Sequence, residues 1–166
     1  MTVPDSIVSL ARKIPRPEHN FLGISGRLPG LPFQVLLFCR SPRTDVRPDF
    51  HYRFVWIYAI GGEGDVVIDG VAIRLKAGQR LMIRPYSQHG YKPVSGQPPL
   101  ECVFIAFEMD AARGVSSLHG EVQGCRLSHI EDLHRLVSDY LALRTHSAAH
   151  HGTQELLTSQ CVLQVA

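Results

Sequence analysis

The sequence predicts a mostly β domain, a sandwich or barrel with an arm in front of it and two amphipathic helices behind it. Three observations point there. Short runs rich in β-branched and aromatic residues recur from 33 to 109 with turn residues between them. An Asp-Gly pair joins two of those runs, and after Arg113 the apolar spacing changes to a helical period.

At the N-terminus, Pro4, Pro15, Pro17, Pro29 and Pro32 alternate with Gly23, Gly26 and Gly30. Proline removes a backbone donor and fixes φ, so this stretch has room only for a short helix near 6–13 and then an extended arm. Strands are expected over 33–39, 51–60, 65–69, 71–75, 79–83 and 100–107. Asp69-Gly70 lies between Val66-Val67-Ile68 and Val71-Ala72-Ile73. A two-residue hairpin turn needs positive φ at both central positions, which this pair tolerates. The run Gly61-Gly62-Glu63-Gly64 could cradle a phosphate only if a helix followed it, and a β-branched run follows instead.

Ser128-His-Ile-Glu131 reads as a capping box, with Ile130, Leu133, Val137, Tyr140 and Leu141 on one helical face beyond it. After a polar break, Thr153 could cap a second helix carrying Leu156, Leu157, Cys161 and Leu163. That helix meets Ala166 without a stop signal, so a further domain is expected after it. The organisation expected is an arm over 1–32, a β-barrel over 33–110 and a helical dimerisation or linker segment over 111–166.

Composition narrows the function classes. In 166 residues, 17 Lys and Arg against 15 Asp and Glu leave +2, and 45% of residues are hydrophobic. That suits one domain with an adequate core. The basic residues are scattered, so the chain carries no footprint for a nucleic-acid backbone. No apolar run reaches the length of a membrane span, and the first residues lack a secretory leader, so a cytoplasmic protein is expected. Cys39, Cys102, Cys125 and Cys161 form no C-x-x-C pair and are expected as isolated reduced thiols. No nucleophile elbow is present, and nucleophilic catalysis has no support. His146, His150 and His151 have only Glu155 near them and are expected in a solvated loop, while His129 and His134 are expected exposed on the first trailing helix.

The stretch from His51 through Gly62, Gly64 and Gly70, then Leu75-Lys-Ala-Gly78 on to Pro85-Tyr-Ser-Gln-His89-Gly-Tyr91, resembles the two motifs of the cupin barrel. Gly62 and Gly78 hold the two glycine positions and His89 the last histidine. The resemblance implies a double-stranded β-helix, or jelly-roll barrel. The positions of a cupin metal site are Asp49, His51, Val55 and His89 here, so valine stands for the carboxylate and aspartate for the first histidine. At most His51, His89 and Asp49 could hold a metal, as in a stand-alone metal-dependent oxygenase or isomerase, and no metal or other cofactor is expected.

A narrower resemblance covers Arg47-Pro48-Asp-Phe-His-Tyr-Arg-Phe, Gly62-Glu-Gly64, Pro85 to Tyr91 and the two trailing helices. These are similar to the N-terminal sensor and dimerisation domain of AraC-family transcription regulators. The resemblance implies a binding module, not an enzyme: a barrel around a small effector, an arm as lid, and a homodimer through the helix bearing Ile130, Leu133, Val137, Tyr140 and Leu141. It also implies that DNA is read by helix-turn-helix motifs further on, and it gives no membrane partner.

Effector contacts carried over by position are Arg47 and Tyr91, with Cys102 and Phe104 where the sugar-sensing branch has histidine and tryptophan. That replacement removes a polar contact and a stacking platform, so a flatter or more apolar effector than a sugar is expected. If His51 faces inward, strand alternation turns Arg53, Val55 and Ile57 the same way and Trp56 outward, under the trailing helices. An inward Arg53 needs an anionic partner, which makes an acidic effector an expectation as well. His51, Arg53 and His89 complete the expected effector site.

Overall fold

The computed structural model describes residues 2–15, 31–42, 50–109 and 119–145. The elements in order are α1 (Asp5–Ala11), β1 (Phe33–Arg40), β2 (Phe54–Gly61), β3 (Glu63–Ile68), β4 (Val71–Lys76), β5 (Gln79–Ile83), β6 (His89–Pro93), β7 (Glu101–Glu108), β8 (Val122–Gly124) and α2 (Leu127–Thr145). The strands pair antiparallel in two sheets, one in the order β1-β7-β2-β5-β8 and one in the order β4-β3-β6. Together they form the two-sheet jelly roll, with helices at one side.

Alternation along the strands divides the core in two. On β2 and β7, Val55, Ile57, Ala59, Cys102, Phe104 and Ala106 enter an inner cluster with Val66, Ile68 and Leu75 of the small sheet. Phe54, Trp56, Tyr58, Val103, Ile105 and Phe107 enter an outer cluster with residues of both helices. Trp56 thus faces out beneath α2, as its strand phase predicts, and is fully buried there. The apolar stripe of α2 packs on the same sheet. Ile130, Leu133, Val137 and Tyr140 are buried within this chain and Leu141 packs against them, so the face that the sequence offers to a second copy is covered by the chain's own β-sheet. Burial of that stripe, rather than helix propensity, holds α2 in place.

The described part of the arm also differs from a lid. Ile7, Ala11 and Ile14 of the α1 segment join the outer cluster beside α2. Arg12 fixes the segment to β7 through a two-pronged ion pair, with Nε and a terminal nitrogen each 2.8 Å from a Glu101 oxygen. Residues 16–30, where a lid over the barrel would lie, fall outside the described residues.

Local chemistry places the turns. Asp69 and Gly70 both take positive φ, 48° and 85°, giving the expected hairpin. Gly62 is required as glycine, because at φ 66° a β-carbon would stand 1.9 Å from the carbonyl oxygen of Pro99. The capping box is replaced by another cap. Ser128 lies inside α2, and the His129 imidazole accepts the Arg126 backbone N–H at 3.1 Å. Burial and the nearby Arg80 lower the His129 pKa, which keeps the ring neutral enough to accept. The second trailing helix expected after Thr153, together with Leu156, Leu157, Cys161, Leu163 and His146, His150 and His151, lies outside the described residues.

Candidate functional site

The inner cluster holds a file of rings that runs from one sheet to the other. His51 stands just before β2 and His89 opens β6, and their ring centroids lie 4.8 Å apart at 63°. His89 meets Tyr91 edge-on at 6.2 Å, Tyr91 meets Phe104 edge-on at 6.0 Å, and Phe104 stacks on Phe38 at 4.7 Å and 11°. The Arg40 guanidinium closes the file, 5.1 Å from the Phe38 centroid and 5.7 Å from that of Phe104. Edge-to-face and offset-stacked contacts at these separations are each favourable beyond the area they bury. Four of the rings come from residues two apart on β6 or paired across β1 and β7, where Phe38 faces Phe104 in register.

Backbone carbonyls fix the imidazoles. His51 donates Nδ1–H to the Arg53 carbonyl at 3.0 Å, and His89 donates Nδ1–H to the Ser87 carbonyl at 3.2 Å. In a neutral ring so oriented, Nε2 carries the lone pair and is the acceptor or ligand atom. The His51 carbonyl accepts the backbone N–H of Tyr86 at 2.8 Å, which joins the two loops at this end of the barrel.

The other expected contacts fall into place around the file. Cys102 is fully buried on the inner face, and desolvation raises its pKa well above the usual thiol range, so it is a neutral, weakly polar wall residue. Arg53 has an 11% exposed side chain, with Nε 3.6 Å from a Glu108 oxygen and the guanidinium 5.5 Å from the Tyr52 centroid. Its charge therefore has an anionic neighbour within the chain, which removes the physical reason for expecting an acidic effector. Arg47 and Asp49 lie outside the described residues. Among the described residues no group of three or more His, Cys, Asp and Glu side chains comes together. His51 and His89 are the pair the structure does bring together.

Phe38, Arg40 and Glu108 are site features that sequence reasoning missed. The even phase of β1, Leu36-Phe38-Arg40, marks Phe38 and Arg40 as co-facial. The register that sets Phe38 against Phe104 and Phe33 against Glu108 spans some 70 residues of sequence and leaves no local signal.

No helix among the described residues is long and apolar enough to cross a membrane. Comparison with curated proteins returned no match. Among solved structures, the chain is similar to a conserved protein of unknown function from Streptococcus pyogenes (13% identity, TM-score 0.38, 46% of this chain and 65% of that one). It is also similar to KdgF from Halomonas sp. (21%, TM-score 0.37, 51% and 76%). A third is Pac13 from Streptomyces, a nucleoside dehydratase (13%, TM-score 0.38, 61% and 73%). The chain thus spans between about two thirds and three quarters of these proteins' lengths. Residues 32–164, from the strand that opens the barrel onward, match the model of the AraC-like ligand-binding domain, and the chain belongs to that family.

Proposed function

We propose that this chain is the effector-sensing domain of a cytoplasmic AraC-type transcription regulator and that it holds a small molecule inside the barrel. The observation that supports this reading is the ring file His51-His89-Tyr91-Phe104-Phe38, which brings aromatic rings and a few oriented polar atoms together on the inner side of the barrel. Arg47, Arg53 and Cys102 complete the contacts in this reading. DNA is engaged by helix-turn-helix motifs elsewhere in the regulator. Effector binding shifts that output only as far as its affinity differs between two arrangements of the barrel and helices. Pairing of two copies, the other half of such a domain's role, uses the side of α2 that the sheet leaves exposed, around Leu127.

A thermal-denaturation screen of small molecules tests this. A bound effector at about 100 times its Kd stabilises by about 2.7 kcal/mol, and Tyr91→Ala should abolish that gain. A chain that no compound stabilises would sink the sensor reading. A second reading, a metal-dependent enzyme, is favoured by the two imidazoles whose ring centroids lie 4.8 Å apart and whose Nδ1 atoms are taken up by backbone carbonyls. Stoichiometric iron or manganese lost on His51→Ala would establish it in place of the first.

A further inference from the structure

We propose that the barrel end formed by the loops at 50–53, 68–71 and 84–89 is a docking surface for a second copy of this chain. Five large apolar side chains are exposed among the described residues, and four of them belong to this end: Phe50 at 66%, Tyr52 at 54%, Val71 at 63% and Tyr86 at 74%. The loops are tied to one another. The Tyr86 backbone N–H donates to the His51 carbonyl at 2.8 Å, between Phe50 and Tyr52 in sequence. The Asp69 backbone N–H donates to the Gln88 carbonyl at 2.8 Å, and the Gln88 N–H returns a bond to Asp69 Oδ1 at 2.9 Å. With rings of about 150–250 Å² apiece, the three aromatic residues alone leave on the order of 400 Å² exposed here. An apolar surface of that size marks an interaction site on a monomer. Doubled across two copies, with its rim, it reaches about the 1,000 Å² at which a specific interface begins.

Tyr86 carries the strongest sign that the surface is used. It follows Pro85 at φ 63°, in the left-handed region that a ring-bearing residue rarely enters and that glycine enters freely. The backbone N–H of any residue would make the bond to His51, so the fold has no need of the tyrosine side chain there. Exposed as it is, the ring recovers little of the strain by packing within the chain, and strain kept for such a ring points to a use outside it. The rim carries both signs of charge. Arg84 is exposed and the Asp69 side chain is 51% exposed. The two flank His119, whose Nδ1 accepts the Arg84 backbone N–H at 3.1 Å and whose Nε2 lies 3.8 Å from Asp69 Oδ2. A two-fold contact sets one patch against its own copy, so Arg84 can meet Asp69 of the second copy around an aromatic centre. The Asp69 carboxylate on the rim counts against an anionic lipid surface or a nucleic-acid backbone. This surface is separate from the exposed side of α2. Leu127 follows β8, whose Gly124 pairs with Gln79 at the start of β5, whereas Arg84 and Tyr86 follow the end of β5. Pairs made around Leu127 can therefore join again through the barrel ends.

Sedimentation equilibrium of the full chain, from micromolar to millimolar concentration, tests this. Leu127→Glu removes the pairing at α2, and that variant should still associate, its mass rising toward that of a dimer. Adding Tyr86→Gly, which suits the left-handed turn, should weaken the remaining association by about tenfold or more, the effect of losing one central interface ring. The Tm of the dissociated chain should hold or rise, because the strain goes with the ring. Tyr86→Asn, which tolerates the same φ, should act alike and guards against a glycine variant that fails to fold. A Leu127→Glu chain that stays monomeric at every concentration, or a dimer that survives both Tyr86 substitutions, overturns the inference. A monomer that binds phosphatidylcholine–phosphatidylserine vesicles through Tyr86 overturns it in favour of a membrane surface. Each of these outcomes leaves the effector reading standing, since that reading fails separately if the thermal screen finds no stabilising compound.

Discussion

The two faces of the five-stranded sheet are built from the same strands and do different work. On the outer face the large side chains Trp56, Tyr58, Met82 and Ile105 are fully buried under α1 and α2. The buried cation there is provided for: Arg80 donates to Gln123 Oε1 at 3.0 Å and to the Tyr58 hydroxyl at 3.1 Å, and its guanidinium lies 4.6 Å from the Trp56 centroid. Burial pushes the Tyr58 pKa upward, so the phenol stays protonated beside it. Among the described residues, one buried donor on this face, Trp56 Nε1, has no hydrogen-bond partner. An indole that buries on the order of 200 Å² at about 25 cal/mol per Å² outweighs the roughly 1–3 kcal/mol of one unmet N–H. The inner face carries an aliphatic cluster that includes Val55, Ile57, Leu81 and Ile83, and with it the rings of Phe38, Phe104, Tyr91, His89 and His51. The difference teaches that the outer face secures the fold through both helices, while the inner face carries the ring file on which the proposed recognition depends.

The largest expected effect comes from breaking the outer face. Trp56→Ala should destabilise by about 3–5 kcal/mol in urea denaturation, through lost burial and the cavity left behind. Phe104→Leu on the inner face should cost about 1–3 kcal/mol, through lost ring pairing, lost burial and a small cavity, and should remove the ligand-dependent rise in Tm. Similar stability losses at both positions would erase the distinction between the faces.

A smaller effect sharpens the same contrast. Tyr58→Phe takes a hydroxyl acceptor from the buried Arg80 and should cost about 1–3 kcal/mol while leaving effector binding unchanged. Weakened binding in that variant would mean that the two faces are coupled through β2.

The smallest effect concerns how α1 is held on the outer face. Arg12 keeps the Glu101 carboxyl below its ordinary range through hydrogen bonds and charge. A depressed carboxylate pKa contributes stability that is present above the unfolded value, near 4.3, and is lost as pH falls through the lower folded value. Arg12 is largely exposed, so Glu101→Gln should lower stability at pH 7 by no more than about 1 kcal/mol. The gap between wild type and variant, followed as Tm from pH 7 to pH 2, should close at the acid end.

Much of the barrel was legible because its strands announce themselves locally. The central runs over 33–39, 71–75 and 79–83 and the Asp69-Gly70 turn emerge near the expected places, since β-branched alternation and turn chemistry are local properties. β2 begins at Phe54, later than the expected start at 51, because His51 turns its ring back to the Arg53 carbonyl before the ladder starts. β6 and β8 were not legible. Both are edge strands, His-Gly-Tyr-Lys-Pro and Val-Gln-Gly, that lack alternation and owe their extended form to β3 and β5 beside them. His51, His89, Tyr91, Cys102 and Phe104 are candidates named from the sequence, whereas the positions of Phe38 and Glu108 depend on the register of β1 against β7.

By itself the sequence determined the class of fold, the hairpin turn and, with His51 facing inward, the outward face of Trp56. Each follows from period, φ preference or strand phase within a few residues. Only the tertiary structure decided which surface the α2 stripe covers, since an amphipathic face specifies that it must be buried and leaves its partner open. It likewise decided that Arg53 meets Glu108, because charge pairing depends on residues that meet only when distant strands come into register.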